Sequence, residues 1–305
     1  MPDDPWPRVG VLGAGAVGCY YGGMLARAGA PVVLVGRPAH VDVIAAEGLM
    51  LERGGVPERV RVAAATDDVA VLGACDVVLV CVKTSDTEDA ARALARHLRD
   101  GAVVLSLQNG VDNVDRMRAA AGIAALPVVV YVAAAMTGPG RVRHTGRGDL
   151  VIGESPRARD LAALFARADV PCRVSDNVIG ELWAKLAMNC AYNAISALTR
   201  ARYARITAYE GTRAVMRAAV TELVAVAQAD GVRLPDVDLV DAALRLADGM
   251  PDATSSTAQD VARGKRTEID ALNGHVAARG AALGVPTPVN ATLHALVKLL
   301  EEGAA

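Results

Sequence analysis

Gly13-Ala14-Gly15-Ala16-Val17-Gly18 lies between two short apolar runs, Arg8-Val9-Gly10-Val11-Leu12 before it and Val32-Val33-Leu34-Val35 after it. A helical stretch reaches to about Ala28, and Gly29 and Pro31 punctuate the return. Strand, glycine turn, helix and strand within about 30 residues is the context in which G-x-G-x-x-G holds the pyrophosphate of a dinucleotide. Each glycine has a separate task. Gly13 permits the tight turn, Gly15 lets the backbone approach the pyrophosphate, and Gly18 allows close packing of helix on strand. The free N–H groups of the helix start, at Ala16 and Val17, complete the anion site.

The end of the second run bears on which dinucleotide. An NAD-binding fold usually places Asp or Glu there to hold the ribose 2′-hydroxyl. Here the chain reads Val35-Gly36-Arg37-Pro38. The planar fork of Arg37 suits a 2′-phosphate, so NADP(H) is the expected cofactor. Val9 to Ala26 is uncharged over 18 residues, close to the length of a membrane span. Its six glycines, and Asp3 and Asp4 ahead of it, argue against a lipid-facing helix or a signal peptide. The chain therefore reads as a soluble cytoplasmic protein without a membrane partner.

Further apolar runs at Asp76 to Val82, Ala102 to Leu107, Pro127 to Ala134 and Asp149 to Ile152 alternate with helical stretches near Thr87 to Leu98, Asp112 to Ala120 and Arg157 to Ala168. This alternation predicts an α/β fold with a Rossmann-like doubly wound, mostly parallel sheet. Leu49 to Ala63, with Gly54-Gly55 at its centre, reads as an inserted hairpin. Ligands of such sheets bind beyond the C-terminal ends of the strands. Two of those ends are polar, Lys83-Thr84-Ser85 and Gln108-Asn109-Gly110, though either also reads as a turn or a helix cap. After Asp176 strand patterns nearly vanish. Helices are expected near Val178 to Leu198, Thr212 to Ala229, Pro235 to Ala247, Thr257 to Arg263, Glu268 to Leu283 and Val289 to Glu301. The expected organisation is an NADP-binding domain over residues 1–176 and an all-helical C-terminal domain over residues 177–305.

Basic and acidic residues number 32 and 34, for a net charge of −2, which excludes a strongly basic nucleic-acid surface. Five cysteines without a C-x-x-C and five scattered histidines indicate neither a disulfide framework nor a metal site. Only four of the 32 basic residues are Lys: Lys83, Lys185, Lys265 and Lys298. A buried Lys can release its proton near neutral pH and Arg cannot, so each Lys bears on the chemistry. Lys185, Asn189 and Asn193 stand at i, i+4 and i+8 and share one face of a helix that Leu182, Leu186 and Ile195 show to be substantially packed. Polar groups on a packed helix need partners, and a ligand could supply them. An exposed stripe with a Glu181–Lys185 surface pair fits the same residues. Farther on, Ser256 with Gln259 fits a capping box, and Glu268 beside Lys265 and Arg266 reads equally as a solvated acid.

These residues resemble the ketopantoate reductase (2-dehydropantoate 2-reductase) family from Gly10 nearly to the C-terminus. The resemblance is carried by Lys83 after its apolar run, Gln108-Asn109-Gly110, and Gly148-Asp149-Leu150-Val151-Ile152-Gly153-Glu154. More specific are Trp183-Ala184-Lys185-Leu186-Ala187-Met188-Asn189-Cys190, Ser255-Ser256, and Thr267-Glu268-Ile269-Asp270-Ala271-Leu272-Asn273-Gly274. The resemblance implies NADPH-dependent reduction of a small-molecule 2-keto acid to its 2-hydroxy acid. It implies Lys185 as the general acid that protonates the ketone oxygen, with Glu268 holding and tuning that Lys. Asn109 and Lys83 would lie near the nicotinamide and the catalytic Lys. Asn189, Asn193 and Ser256 would bind the substrate's hydroxyl and carboxylate groups. The chemistry is coherent, because hydride addition builds negative charge on the carbonyl oxygen, and an ammonium group both stabilises and protonates it.

One segment departs from the family pattern. Ala194-Ile195-Ser196-Ala197-Leu198-Thr199-Arg200-Ala201-Arg202-Tyr203 lacks the Pro-Leu-Thr-Ala-like continuation, and no Asn occurs between Asn193 and Asn273. The exact substrate therefore stays open between ketopantoate and another branched or aromatic 2-keto acid. Two other readings also stay open. A β-hydroxyacid dehydrogenase-like or imine reductase shares a Rossmann domain and a Lys-to-Asn i+4 pair, and the Thr267–Gly274 motif speaks against it. An NADP-binding sensor without turnover is the other, and Lys185 and Glu268 speak against it. The chain is compatible with a homodimer.

Overall fold

The apolar runs form strands, in a computed structural model that describes residues 5–303. In chain order the strands are β1 (Val9–Leu12), β2 (Val32–Val35), β3 (Leu49–Arg53), β4 (Val56–Val60), β5 (Ala64–Thr66), β6 (Val77–Val80), β7 (Val103–Ser106), β8 (Leu126–Gly138), β9 (Arg141–Gly153) and β10 (Cys172–Ser175). The helices among them are α1 (Ala16–Arg27), α2 (Pro38–Glu47), α3 (Thr87–Ala95), α4 (Asn113–Ala121) and α5 (Ala158–Arg167). Strands β5, β2, β1, β6, β7 and β8 lie side by side and pair in parallel. Strand β9 then runs antiparallel to β8, with β3 and β10 parallel beside it and β4 antiparallel to β3.

Alternation along the central strands explains why both faces of this sheet are covered. Val9, Val11, Val32, Leu34, Val77 and Leu79 enter one apolar cluster, and Leu12, Val33, Val35, Val78 and Val80 enter another. A strand buried on both faces must be apolar throughout, which is the composition of a parallel sheet with helices on either side. Helix α1 lies close on the sheet because its packed face is glycine. A Cβ at Gly22 would stand 2.8 Å from Leu34 Cδ2, and one at Gly23 2.8 Å from Leu49 Cδ2.

The chain divides into two compact units. One is the chain through Gln108 together with Asp112–Val178, and the other is Asn109–Val111 with the chain from Ile179 onward. In the second unit, α6 (Val178–Thr199) is followed by α7 (Tyr203–Ala208), α8 (Glu210–Ala229), α9 (Leu239–Gly249), α10 (Ser256–Ala262), α11 (Asn273–Leu283) and α12 (Pro288–Glu302). Helix α6 contributes to its core. Trp183, Leu186, Ala187, Cys190, Ala191 and Ile195 pack with Met216, Leu223 and Val226 of α8 and with Leu293 and Val297 of α12.

Several elements differ from the sequence expectation. Strands β8 and β9 each run 13 residues, longer than the segments expected, because Ala, Gly and Arg dilute the apolar signal and three register shifts interrupt the pairing. Helix α2 was not expected; Pro38 occupies its first turn, where the missing N–H costs nothing. Strands β5 and β10 and helix α7 are additional short elements. The single helix expected from Glu268 to Leu283 is instead a 3-10 turn over Ile269–Ala271, a break at Leu272 (φ −109°, ψ −107°), and then α11. Among the described residues no helix is long and apolar enough to cross a membrane, and the uncharged run from Val9 resolves into β1, the glycine turn and α1.

Candidate active site

In the first unit the glycine loop joins β1 to α1, and its three glycines differ as expected. Gly13 has φ +113°, and a Cβ there would lie 2.7 Å from the backbone of Cys81 and Val82. At Gly18 a Cβ would collide with the Gly13 carbonyl oxygen. At Gly15 nothing stands within 4 Å, so this face of the turn is open. Helix α1 has no side-chain cap and no acid in its first turn, which leaves the N–H groups of Ala16, Val17 and Gly18 suited to an anion. These residues fit a dinucleotide pyrophosphate.

Arg37 is the exposed residue between β2 and α2, placed where a ribose 2′-substituent would be read in such a fold. Lys83 follows the end of β6 and caps a short 3-10 turn, its carbonyl accepting the Asp86 N–H at 2.8 Å. Strand β1 has β2 on one side and β6 on the other, so the glycine loop and the Lys83 loop both leave the C-terminal edge where the strand order reverses. Gln108 is buried there. Its Nε2 donates to the Val82 carbonyl at 3.2 Å and to Thr87 Oγ1 at 2.8 Å, and its Oε1 accepts from Ser106 Oγ at 3.0 Å.

The second unit assembles three groups that are far apart in sequence. Lys185 Nζ donates to Asn109 Oδ1 at 3.0 Å, and Asn109 Nδ2 donates to Glu268 Oε2 at 3.0 Å. All three side chains are half-buried. Asn109 thus sits between the ammonium and the carboxylate with both ends of its carboxamide in use. One and two helical turns beyond Lys185, Asn189 is half-buried and Asn193 is 4 % exposed. The Asn193 carbonyl accepts the Ser255 hydroxyl at 3.2 Å. Neighbouring phenols do not compete as acids at neutral pH. Burial pushes Tyr192 and Tyr203 each up to about 12.

Around Ser256 the structure differs from the capping-box expectation. The cap of α10 is Ser255, buried at 2 % exposure, whose Oγ accepts the Ala258 N–H at 3.0 Å. Ser256 is the first residue of the helix and is exposed, so its hydroxyl is released from the structural task. Sequence reasoning also missed Ser255 as the residue that ties this turn to α6; Gln259 drew the box one residue too far along. In the Thr267–Gly274 motif, Asn273 is structural. Its Nδ2 donates to the Cys190 carbonyl at 3.2 Å and to Asn290 Oδ1 at 3.0 Å. Gly274 gives close passage to His294, whose Cδ2 would be 2.8 Å from a Cβ. Lys298, one of the four Lys, is paired with Asp270 at 3.0 Å and Glu301 at 3.1 Å.

Two family models match the chain: Ketopantoate reductase PanE/ApbA over residues 9–157 and Ketopantoate reductase PanE/ApbA C terminal over residues 177–301. The chain is 35 % identical to the 2-dehydropantoate 2-reductase of Halobacterium salinarum, over 96 % of this chain and 99 % of that protein. It is 36 % identical to the one from Caulobacter vibrioides, over 95 % and 97 %. The solved structure of a PanE/ApbA family ketopantoate reductase from Ralstonia eutropha JMP134 superposes with a TM-score of 0.93 at 54 % identity, covering 97 % of this chain and 99 % of that one.

Proposed function

The chain belongs to the ketopantoate reductase family, and from that premise we propose how its own residues carry out the reaction. It is an oxidoreductase that uses NAD(P)H to reduce 2-keto acids of the ketopantoate type. Within that class we read 2-dehydropantoate as the leading substrate and NADP(H) as the cofactor. The first unit is the cofactor-binding domain and the helical unit is the substrate-binding and catalytic domain.

The observation that carries this reading is the chain of hydrogen bonds from Lys185 through Asn109 to Glu268. Bound NADPH supplies a hydride to the keto carbon. Gly13, Gly15, Ala16, Val17 and Gly18 cradle its pyrophosphate, Arg37 pairs with the 2′-phosphate, and Lys83 and Asn109 serve its nicotinamide end. As negative charge develops on the ketone oxygen, Lys185 Nζ stabilises it and donates the proton. Asn109 fixes the position of Nζ, and the Glu268 carboxylate, relayed through the same carboxamide, favours the ammonium form that must be present before transfer. Asn189 and Asn193 offer amide donors, and Ser256 a hydroxyl, to the substrate's carboxylate and hydroxyl groups. An Arg at position 185 would stabilise the oxygen but hold its proton.

Replacing Lys185 by Ala tests the assignment. The expected result is a fall in kcat of about 10²-fold or more with NADPH affinity nearly unchanged, read by steady-state kinetics and a fluorescence titration. Turnover that survives the change would refute Lys185 as the acid. The unmodified protein should oxidise NADPH, and NADH far less, when given 2-dehydropantoate. No turnover across a panel of branched and aromatic 2-keto acids would favour a binding role without catalysis.

A further inference from the structure

The loop that carries Glu268 is fixed from outside by the last helix. Between the end of α10 and the Ile269–Ala271 turn, residues 263–268 form neither helix nor strand. On the near side of Glu268, the N–H of buried Thr267 donates to Glu301 Oε1 at 2.7 Å. On the far side, Asp270 Oδ1 meets His294 Nε2 at 2.7 Å and Asp270 Oδ2 accepts from Lys298 Nζ at 3.0 Å. Lys298 closes the circuit through Glu301 Oε2 at 3.1 Å. Three residues of α12 thus grip the residues that flank Glu268, and Glu268 itself receives the Asn109 amide. Thr267 Oγ1 also accepts the Ile269 N–H at 3.1 Å, which sets the turn.

The grip is stronger than a surface ion pair. The Glu301 side chain is 13 % exposed, and a buried carboxylate is costly unless several donors satisfy it. Burial alone would raise its pKa, but the hydrogen bonds from Thr267 and the Lys298 ammonium outweigh burial and hold the carboxyl below its ordinary value. For Asp270, burial is likewise overcome by His294 and Lys298.

We propose that Glu301, supported by Lys298, is a positioning residue of the reaction, which holds the Thr267–Asp270 loop against α12 and so keeps Glu268 on Asn109. This rests on the reading of Lys185 and Glu268 above. A wholly structural Glu301 would affect stability without regard to Glu268, whereas a positioning Glu301 acts only through it.

The test is a double-mutant cycle on the full chain with 2-dehydropantoate and NADPH. Glu301→Ala should lower kcat about tenfold and leave the NADPH dissociation constant within about twofold. Glu301→Gln keeps an oxygen for the Thr267 N–H and should recover most of that loss. In a Glu268→Gln background, Glu301→Ala should change kcat by less than about twofold, because coupled residues are not additive. A kcat for Glu301→Ala equal to that of the parent would overturn the proposal, as would the same fold-loss in both backgrounds. Should Glu301→Ala fail to fold, Lys298→Met, which takes the ammonium from Asp270 and Glu301 but spares the His294 and Thr267 hydrogen bonds, must lower kcat about threefold or the proposal falls. A Glu268→Gln enzyme as active as the parent would instead remove the role read for Glu268, and the proposal with it.

Discussion

Arg37 stands exposed where β2 passes into α2, with Pro38 fixing the chain direction behind it. A guanidinium that pairs with a 2′-phosphate contributes charge-assisted hydrogen bonds that an unphosphorylated ribose cannot return. Arg37→Ala should therefore raise KM for NADPH by about tenfold or more and leave KM for NADH nearly unchanged, measured by steady-state kinetics with each cofactor. An equal rise for both would mean that Arg37 does not read the 2′-position. The position of this residue was legible in the sequence because it depends on one local fact, what ends the second strand. Lys185, Asn189 and Asn193 were legible for the same reason, since helical periodicity alone puts them on one face. The link through Asn109 was not. Its partners lie 76 and 159 residues away, and no local pattern records which distant loop delivers a carboxamide between an ammonium and a carboxylate.

At the scale of elements, α10 shows how a shift of one residue separates structure from chemistry. Ser255 caps the helix and binds the Asn193 carbonyl, while Ser256 stands exposed beside it. Ser255→Ala should cost about 1–2 kcal/mol through the lost cap, seen as a thermal midpoint lower by about 2–4 °C. Ser256→Ala should leave the midpoint within about 1 °C and raise KM for the keto acid. The reverse pattern would return the cap to Ser256. The central strands β1, β2, β6 and β7 were legible because burial on both faces demands continuous Val and Leu. The Arg141 end of β9 was not, because Arg141, Arg143 and Arg147 interrupt the apolar run and the register shifts against β8 break any simple alternation. The interruption before α11 was hidden for another reason. Contacts from α12 hold Thr267 and Asp270 ahead of the break, whereas the Glu268–Leu283 segment by itself has no residue that must end a helix.

For the whole molecule, the ionisable groups define a pH window of stability. Among the described residues, many ion pairs are exposed Arg–carboxylate contacts, each worth roughly 0–1 kcal/mol. A few carboxyls are held lower in the folded state than in the unfolded chain. Glu88 is lowered chiefly by its hydrogen bond with Arg116 and Asp230 by that with Arg279; in Asp270 and Glu301 the hydrogen bonds and cations outweigh burial. A depressed folded pKa gives stability that is present above the ordinary values of 3.8 and 4.5 and lost as pH falls through the folded ones. At the other end, burial pushes Cys19 and Cys172, ordinarily near 9.0, and Tyr192 and Tyr203, ordinarily near 10.0, each up to about 12. Burial also raises Cys81, Cys190 and Tyr21. Above pH 9 the unfolded chain gives up these protons first, so the folded state binds more of them and stability falls as pH rises. The thermal midpoint should hold level between about pH 5 and 8.5 and decline on both sides. Calorimetry from pH 3 to 11 reads this directly. Glu88→Gln should shallow the acid limb and leave the alkaline one alone. A midpoint that stayed level to pH 11 would mean that the buried thiols and phenols ionise in the folded protein as readily as in the unfolded chain.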